Sequence, residues 1–291
     1  MKPLKKILYF TAMTSSLIHV GIPEILSTQL ELTEPFYFII LMEQELHFSI
    51  DLVPYQSTAK SILFLSPFQL FSVQEKLPEH TKVLKFHGDF YCIEYHKDEV
   101  ACNGLLFNNI YQQPHVALTQ EAFQEIAAII YKIDHLKYSS ASFDQAITKT
   151  YLQLILAIAS KQKILTNKRS LPTTSRKDPI DGFEQLLENE YKKHKSVSFY
   201  AEYYNLSSAA FTKKVKQKWG KSPSTLIQER IVLESKRLLH LTTKSIKEIA
   251  AELQYLDEFY FSRFFKKMTG VSPKVFREQV GVSIVAKKSM L

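Results

Sequence analysis

The sequence predicts an α+β chain in two parts: a small N-terminal β domain with two helices after it, then an all-α region with two helix-turn-helix units joined by a long helix. Three observations predict it. Short apolar or alternating runs rich in aromatic and branched residues give way near Leu118 to a helical period. The charge is split, with 26 Lys and Arg against 13 Asp and Glu over residues 161–291, and 11 against 16 over residues 1–160. A 23-residue segment also occurs twice, at an offset of 50 residues.

A length of 291 residues exceeds the usual single core, so two domains are the default. Hydrophobic content of 45% and charged content of 23% fit a globular chain and exclude disordered or fibrous classes. The 7 glycines argue against glycine-rich phosphate loops. Cys92 and Cys102 are too few for a disulfide framework and lack the CxxC spacing of a zinc site, which fits a reducing cytoplasm. The start, MKPLKKILYFTAMTSSLIHVGIPEIL, imitates a secretory signal. Thr11, Thr14, Ser15, Ser16 and His19 break its apolar run, and strand and loop is the preferred reading. No later segment approaches the roughly 20 apolar residues of a membrane span, so no membrane partner is expected.

From Phe36 to Phe86 the runs FYFIILM, ELHFSIDL, SILFLS and KVLKF, separated by polar turns, read as an antiparallel β domain. Beyond Leu118, residues Phe123, Ile126, Ala127, Ile130 and Ile133 share one helical stripe. Leu152, Ile155, Leu156 and Ala159 mark a second helix ending near Lys163. The two helices carry more apolar surface than a sheet edge covers, and read either as dimerisation helices or as the closure of the domain's own core. ILTNKRSLPTTSRKDPI, with Ser, Thr, Pro and basic residues and no period, reads as a linker. The division is therefore 1–163, a linker at 164–180, a helical domain at 181–281 and a tail at 282–291, with Phe183, Leu186, Leu187 and Tyr191 marking the first of about seven helices.

AEYYNLSSAAFTKKVKQKWGKSP, residues 201–223, aligns without gaps on AELQYLDEFYFSRFFKKMTGVSP, residues 251–273. The identities are Ala201/Ala251, Glu202/Glu252, Leu206/Leu256, Phe211/Phe261, Lys216/Lys266, Gly220/Gly270, Ser222/Ser272 and Pro223/Pro273. Each copy reads as a short helix, a tight turn and a second helix. Ser245 and Glu248 form a capping box, Ser207 and Asp257 cap the second helices, Gly220 and Gly270 end them, and Ser-Pro starts the next. Phe261, Phe264, Phe265 and Met268 lie at i, i+3, i+4, i+7, and Phe211, Val215 and Trp219 make a sparser version of that stripe. Leu226, Ile227, Ile231, Leu238 and Leu239 face inward on a connecting helix of roughly 25 Å, which would set two recognition helices about one DNA turn apart.

Opposite the apolar stripe stand Ser208, Ala209, Thr212, Lys213 and Lys216 in the first copy, and Glu258, Phe259, Ser262, Arg263 and Lys266 in the second. Small, polar and basic side chains there suit base edges and phosphates of double-stranded DNA. Arg263 is the prime candidate for a base or phosphate contact, against a surface ion pair with Glu258 or Glu252. Lys213, Lys216 and Lys266 read as phosphate partners or as a solvated basic face. Glu258 would repel phosphate and so accepts from cytosine or rejects wrong sites. Phe259 and Tyr260 stay open, Phe259 being able to lie against a thymine methyl.

IAAELQYLDEFYFSRFFKKMTGVSPKVFR, residues 249–277, resembles the signature of the arabinose-regulator (AraC/XylS) family of bacterial transcription regulators. The resemblance runs through Ile249-Ala250, Asp257, Tyr260-Phe261-Ser262-Arg263, Phe265-Lys266, Gly270, Ser272-Pro273 and Arg277. The first copy is similar through Leu206-Ser207, Phe211, Lys216, Gly220-Lys221-Ser222-Pro223, Arg230 and Leu238-Leu239. Two departures stand out. Asn205 and Gln254 occupy the turn position where the family has Gly, and Gln tolerates positive φ less well than Asn. The first set of outward residues also lacks Arg, Asn and Gln for bidentate base reading.

The resemblance implies a sequence-specific DNA-binding regulator, an activator and homodimer that works with RNA polymerase. It also implies a cupin-like N-terminal domain, to which FHGDFYCIEY at 86–95 would add a strand, able to hold a small-molecule effector. No cofactor or metal is expected, because His47, His87, His96 and His115 are scattered without ligand spacing. The rival readings are a cupin-type enzyme or small-molecule binder with a basic tail, which would need clustered His and Glu, and a sequence-independent nucleic-acid binder.

Overall fold

The computed structural model describes residues 17–21, 30–32, 34–73, 77–78, 80–93, 104–136, 142–169 and 179–282. Most of the signal-like start, His96, Cys102, residues 170–178 and the tail past 282 lie outside them.

Two antiparallel sheets form the N-terminal part. One has five strands in the order β1 (Ile18–Gly21), β8 (Lys82–Phe86), β3 (Tyr37–Met42), β6 (Ser61–Leu65), β9 (His115–Ala117). The other has four, in the order β2 (Leu30–Leu32), β7 (Phe71–Val73), β4 (His47–Ile50), β5 (Val53–Gln56). β3 is central in its sheet, with Ile39 paired to Phe64 on one side and Leu84 on the other.

Both faces of β3 are covered, which explains why FYFIILM is continuously apolar rather than alternating. Phe38, Ile40 and Met42 pack toward Phe48, Ile50, Phe71 and Val73 of the second sheet. Ile39 and Leu41 face the helices α1 (Gln120–Leu136) and α2 (Ser142–Arg169), meeting Ile126, Ile130, Ile133, Leu152, Ile155 and Leu156.

The structure differs from two expectations. Residues 87–93 of the anticipated strand at 86–95 are turns and bends, and 94–95 lie outside the described residues. The amides of Phe90 and Tyr91 bond back to the His87 carbonyl at 3.0 and 3.3 Å, so the chain folds over and buries Phe90, Tyr91 and Ile93 without a strand partner. Helix α2 continues past Lys163 to Arg169, taking in the first six residues of the stretch read as linker. The breaker Pro172 comes only after that point.

Seven helices follow among the described residues: α3 (Phe183–Glu190), α4 (Val197–Tyr203), α5 (Ser208–Trp219), α6 (Pro223–Leu241), α7 (Ile246–Glu252), α8 (Glu258–Thr269) and α9 (Pro273–Val280). They share one core in which Phe183, Leu187, Tyr200, Phe211, Leu226, Leu239, Ile249, Phe261 and Phe265 are buried. Phe68 and Ile110, from the loops of the β region, enter the same core. Phe68 lies with its ring centroid 5.3 Å from that of Phe276.

Polar contacts accompany this junction. Lys236 Nζ donates to the Pro67 carbonyl at 2.8 Å, Lys221 Nζ to that of Ile110 at 3.2 Å, and the Tyr111 hydroxyl to Glu188 at 2.9 Å. Burial pushes the Lys236 amine down to a pKa of about 8. None of the described helices is long and apolar enough to cross a membrane.

Candidate DNA-binding surface

Helices α4 and α5 form the first helix-turn-helix and α7 and α8 the second, with α6 between them. Each second helix begins on a side-chain cap. Ser207 Oγ accepts from the Ala210 amide at 3.2 Å, and Asp257 Oδ1 from Phe259 and Tyr260 at 2.7 and 3.2 Å. Ser245 and Glu248 make a reciprocal capping box on α7. Gly220 and Gly270 end α5 and α8 at φ 72° and 81°, a left-handed conformation that glycine adopts without a Cβ clash. Ser222 and Ser272 cap the next helices, each followed by proline at the first position.

The turns carry a register difference that the gapless alignment conceals. After α4, the amides of Asn205 and Leu206 bond back to Glu202 and Ala201, both at 2.9 Å. After α7, those of Gln254 and Tyr255 bond back to Ala251 and Ala250, again at 2.9 Å. Both are Schellman turns, with Asn205 and Gln254 in the left-handed position at φ 52° and 54°. The true equivalents are therefore Ala201 and Ala250, both buried, rather than Ala201 and exposed Ala251. One residue, Leu206, separates the first turn from its cap; two, Tyr255 and Leu256, separate the second. Leu256 is the additional residue and is fully exposed. The turn at Gln254 thus keeps the shape of its partner, with Gln in the positive-φ position that it tolerates less well than Asn.

Burial sorts the second helices by face. Phe211 and Val215 of α5, and Phe261, Phe265 and Thr269 of α8, are buried. Thr269 completes the inward stripe by donating its hydroxyl to the Phe265 carbonyl at 2.9 Å. Phe264 and Met268, read as inward, are half-buried: Phe264 lies 5.7 Å from the Tyr255 ring, and Met268 lines a cavity against the β region. Trp219 is half-buried too, its indole donating to Glu184 at 2.9 Å.

On the outer side, Ser208, Ala209, Lys213, Lys216, Phe259, Arg263 and Lys266 are exposed, whereas Thr212, Glu258 and Ser262 are half-buried. Arg263 makes no ion pair with Glu258 or Glu252. Glu252 pairs instead with Lys192 at 3.3 Å and with Lys244. Lys221, just before α6, pairs with Glu229 at 2.7 Å, and on α6 Arg230 pairs with Glu188 and Arg237 with Glu234, each at 2.7 Å. Lys213, Lys216, Arg263 and Lys266 carry no such partner, so the positive charge left for an outside ligand includes both second helices.

Sequence reasoning missed the role of Arg277, whose guanidinium donates to the Leu239 carbonyl at 3.1 Å and the Lys244 carbonyl at 2.6 Å, tying α9 to the end of α6. It also missed the exposed Leu256 and Tyr203, which no periodicity marks. Among the described residues no group of His, Cys, Asp or Glu could hold a metal.

Residues 200–279 match a family model described as a helix-turn-helix domain. The HTH-type transcriptional activator RhaR of Cronobacter sakazakii is 21% identical over 231 residues, 78% of this chain and 79% of its own. The arabinose operon regulatory protein of Salmonella typhimurium is 26% identical over 128 residues, 42% of this chain and 46% of its own. The raffinose operon regulatory protein RafR of Pediococcus pentosaceus is 28% identical over 96 residues, 33% of this chain and 35% of its own, so these last two are matched over less than half their length. A solved structure of ToxT from Vibrio cholerae aligns over 91% of this chain and 100% of its own at 16% identity and a TM-score of 0.38, too low to carry an arrangement over. With its paired helix-turn-helix units, their uncommitted cations and these relatives together, the C-terminal part of the chain is a helix-turn-helix domain similar to that of AraC-type transcription regulators.

Proposed function

We propose that this chain binds double-stranded DNA in a sequence-specific way, placing α5 and α8 in successive major grooves. The ten contact residues are Ser208, Ala209, Thr212, Lys213, Lys216, Glu258, Phe259, Ser262, Arg263 and Lys266. The observation that carries this reading is the contrast in charge pairing: Lys221 just before α6, and Arg230 and Arg237 on it, are paired with carboxylates, while Lys213, Lys216, Arg263 and Lys266 on the outer side of α5 and α8 are not. A helix of 19 residues between the units spans about 28 Å, close to the pitch that separates successive grooves.

The chain acts as an activator, a reading supported by its similarity to the transcriptional activator RhaR, and does so in the cytoplasm; contact with RNA polymerase follows from the resemblance of residues 249–277 to the AraC/XylS signature. It works as a homodimer. Ile147, Tyr151, Leu154, Ile158 and Leu165 recur at coiled-coil spacing along α2, with Ile147, Leu154 and Leu165 exposed, which supports a second copy packing there. A small-molecule effector fits a cavity of about 270 Å³ lined by Asn108, Tyr111, Glu188, Arg230, Glu234 and Arg237. That cavity lies at the junction of the β and helical regions rather than inside the sheets, so its occupancy would bear directly on α6.

Footprinting on the DNA upstream of its own and neighbouring genes tests the proposal. A protected site of roughly two helical turns per monomer is expected. Protection that is absent, or that spreads evenly over any DNA, would defeat it.

A further inference from the structure

The two recognition helices are built alike on the inside and differently on the outside. From the caps Ser207 and Asp257 onward the units are in register, so Ala209 and Ala210 of α5 correspond to Phe259 and Tyr260 of α8. Phe259 is 70% exposed and Tyr260 59%, and beside them the additional turn residue Leu256 is 107% exposed. Three large apolar side chains in water within five residues form a patch that solvent disfavours, and the first unit has nothing like it at these positions.

The surroundings say what covers the patch. The Asp257 carboxylate already accepts from the Phe259 and Tyr260 amides, and Glu258 adds a second negative charge to the first turn. This end of α8 is therefore unsuited to a phosphate. One turn further on, Arg263, Lys266 and Lys267 supply the cations for the sugar-phosphate walls. Between such walls the apolar feature of the major-groove floor is the thymine 5-methyl group. At α5 the arrangement is reversed: Ser207 takes the Ala210 amide, no acid stands in the first turn, and the small side chains of Ser208 and Ala209 allow the backbone close to the DNA.

We infer that α8 selects thymine through its methyl groups, with Phe259 as the reading side chain and Tyr260 and Leu256 closing water out around it, while α5 binds chiefly through phosphates. This rests on the DNA-binding reading above and adds to it the class of base read by each helix.

The test uses the full chain on the DNA site that footprinting identifies. Thymines under α8 are replaced one at a time by deoxyuridine, which removes the methyl and keeps every hydrogen-bonding group. At one or two positions Kd is expected to rise about fourfold, the value of one buried methyl group. Phe259→Ala is expected to abolish that sensitivity with an unchanged melting temperature, and replacements under α5 are expected to change Kd less than twofold. Two results would overturn the inference: every deoxyuridine under α8 tolerated within twofold, or a sensitivity that survives in Phe259→Ala. If, in addition, Phe259→Ala binds DNA normally but no longer activates transcription, the patch is a protein surface. Each of these leaves the footprint standing, whereas loss of any specific footprint would remove the DNA-binding reading and this inference together.

Discussion

Asn205 and Gln254 hold the same left-handed backbone position in the two helix-turn-helix units, at φ 52° and 54°, although an offset of 50 pairs neither with the other. The left-handed region costs an ordinary side chain roughly 1–2 kcal/mol, and Asn visits it far more readily than Gln. Gln254 is exposed and its carbonyl, which accepts from Lys195 Nζ at 3.1 Å, belongs to the backbone. Gln254→Gly therefore keeps every contact and relieves the strain, against the extra entropy glycine gives the unfolded chain. A net gain of about 0.5–1 kcal/mol is expected, read as a higher urea midpoint at unchanged slope. Asn205→Gly should gain less. A lower midpoint for Gln254→Gly would show that its side chain contributes more than its backbone costs.

Arg263 is exposed and unpaired on α8, so removing it should cost binding and spare the fold. Arg263→Ala is expected to lose about 1–3 kcal/mol of specific affinity while melting with the parent. Lys216→Ala should weaken specific and nonspecific DNA alike and lower the slope of log K against log salt by about one. If Arg263→Ala melts early instead, α8 presents a different side to the DNA.

Much of this was legible in the sequence because it is local. Caps at Ser207, Ser222, Ser245, Asp257 and Ser272, and the inward placing of Phe211, Phe261 and Phe265, follow from spacings within one or two turns. The register of the turns was hidden. Ala and Glu fit either of two neighbouring helical positions, so the identities Ala201/Ala251 and Glu202/Glu252 fix no equivalence, and the left-handed residue does. The burial of Phe68 and Ile110 in the helical core depends on a junction between distant segments that leaves no periodic trace. For the same reason the basic balance of residues 161–291 overstates the DNA-facing charge. Lys221 and Lys236 are counted in it, yet both amines point into the junction toward the carbonyls of Ile110 and Pro67.

The exposed seam of α2 predicts assembly. Leu154 stands in the middle of that seam, 41% exposed, between half-buried Tyr151 and Ile158. A charge at this point would be desolvated in a two-helix seam but harmless in a monomer. Leu154→Lys should leave the melting temperature of dilute protein within a few degrees and shift sedimentation from dimer to monomer. An unchanged sedimentation coefficient for parent and variant would place the dimer contact elsewhere or exclude it.

His115 predicts a pH dependence. It sits on β9 paired with Leu63, its ring edge-on to Phe48 at 6.1 Å, and its Nδ1 is buried with no hydrogen-bond partner. Burial first, and the nearby Lys163 ammonium second, hold its pKa down to about 4. The folded chain thus keeps the imidazole neutral at pH values where the unfolded chain takes up a proton. Between about pH 6.5 and 4 the unfolded state binds more protons, so stability falls as pH falls through that window and its full value is present only above it. The loss from this one group should approach about 3 kcal/mol by pH 4. His115→Phe removes the titration and keeps a ring against Phe48, so its urea midpoint should decline less steeply over the same window. If parent and variant decline in parallel from pH 6.5 to 4, the acid sensitivity belongs to other groups and His115 is not held neutral by the fold.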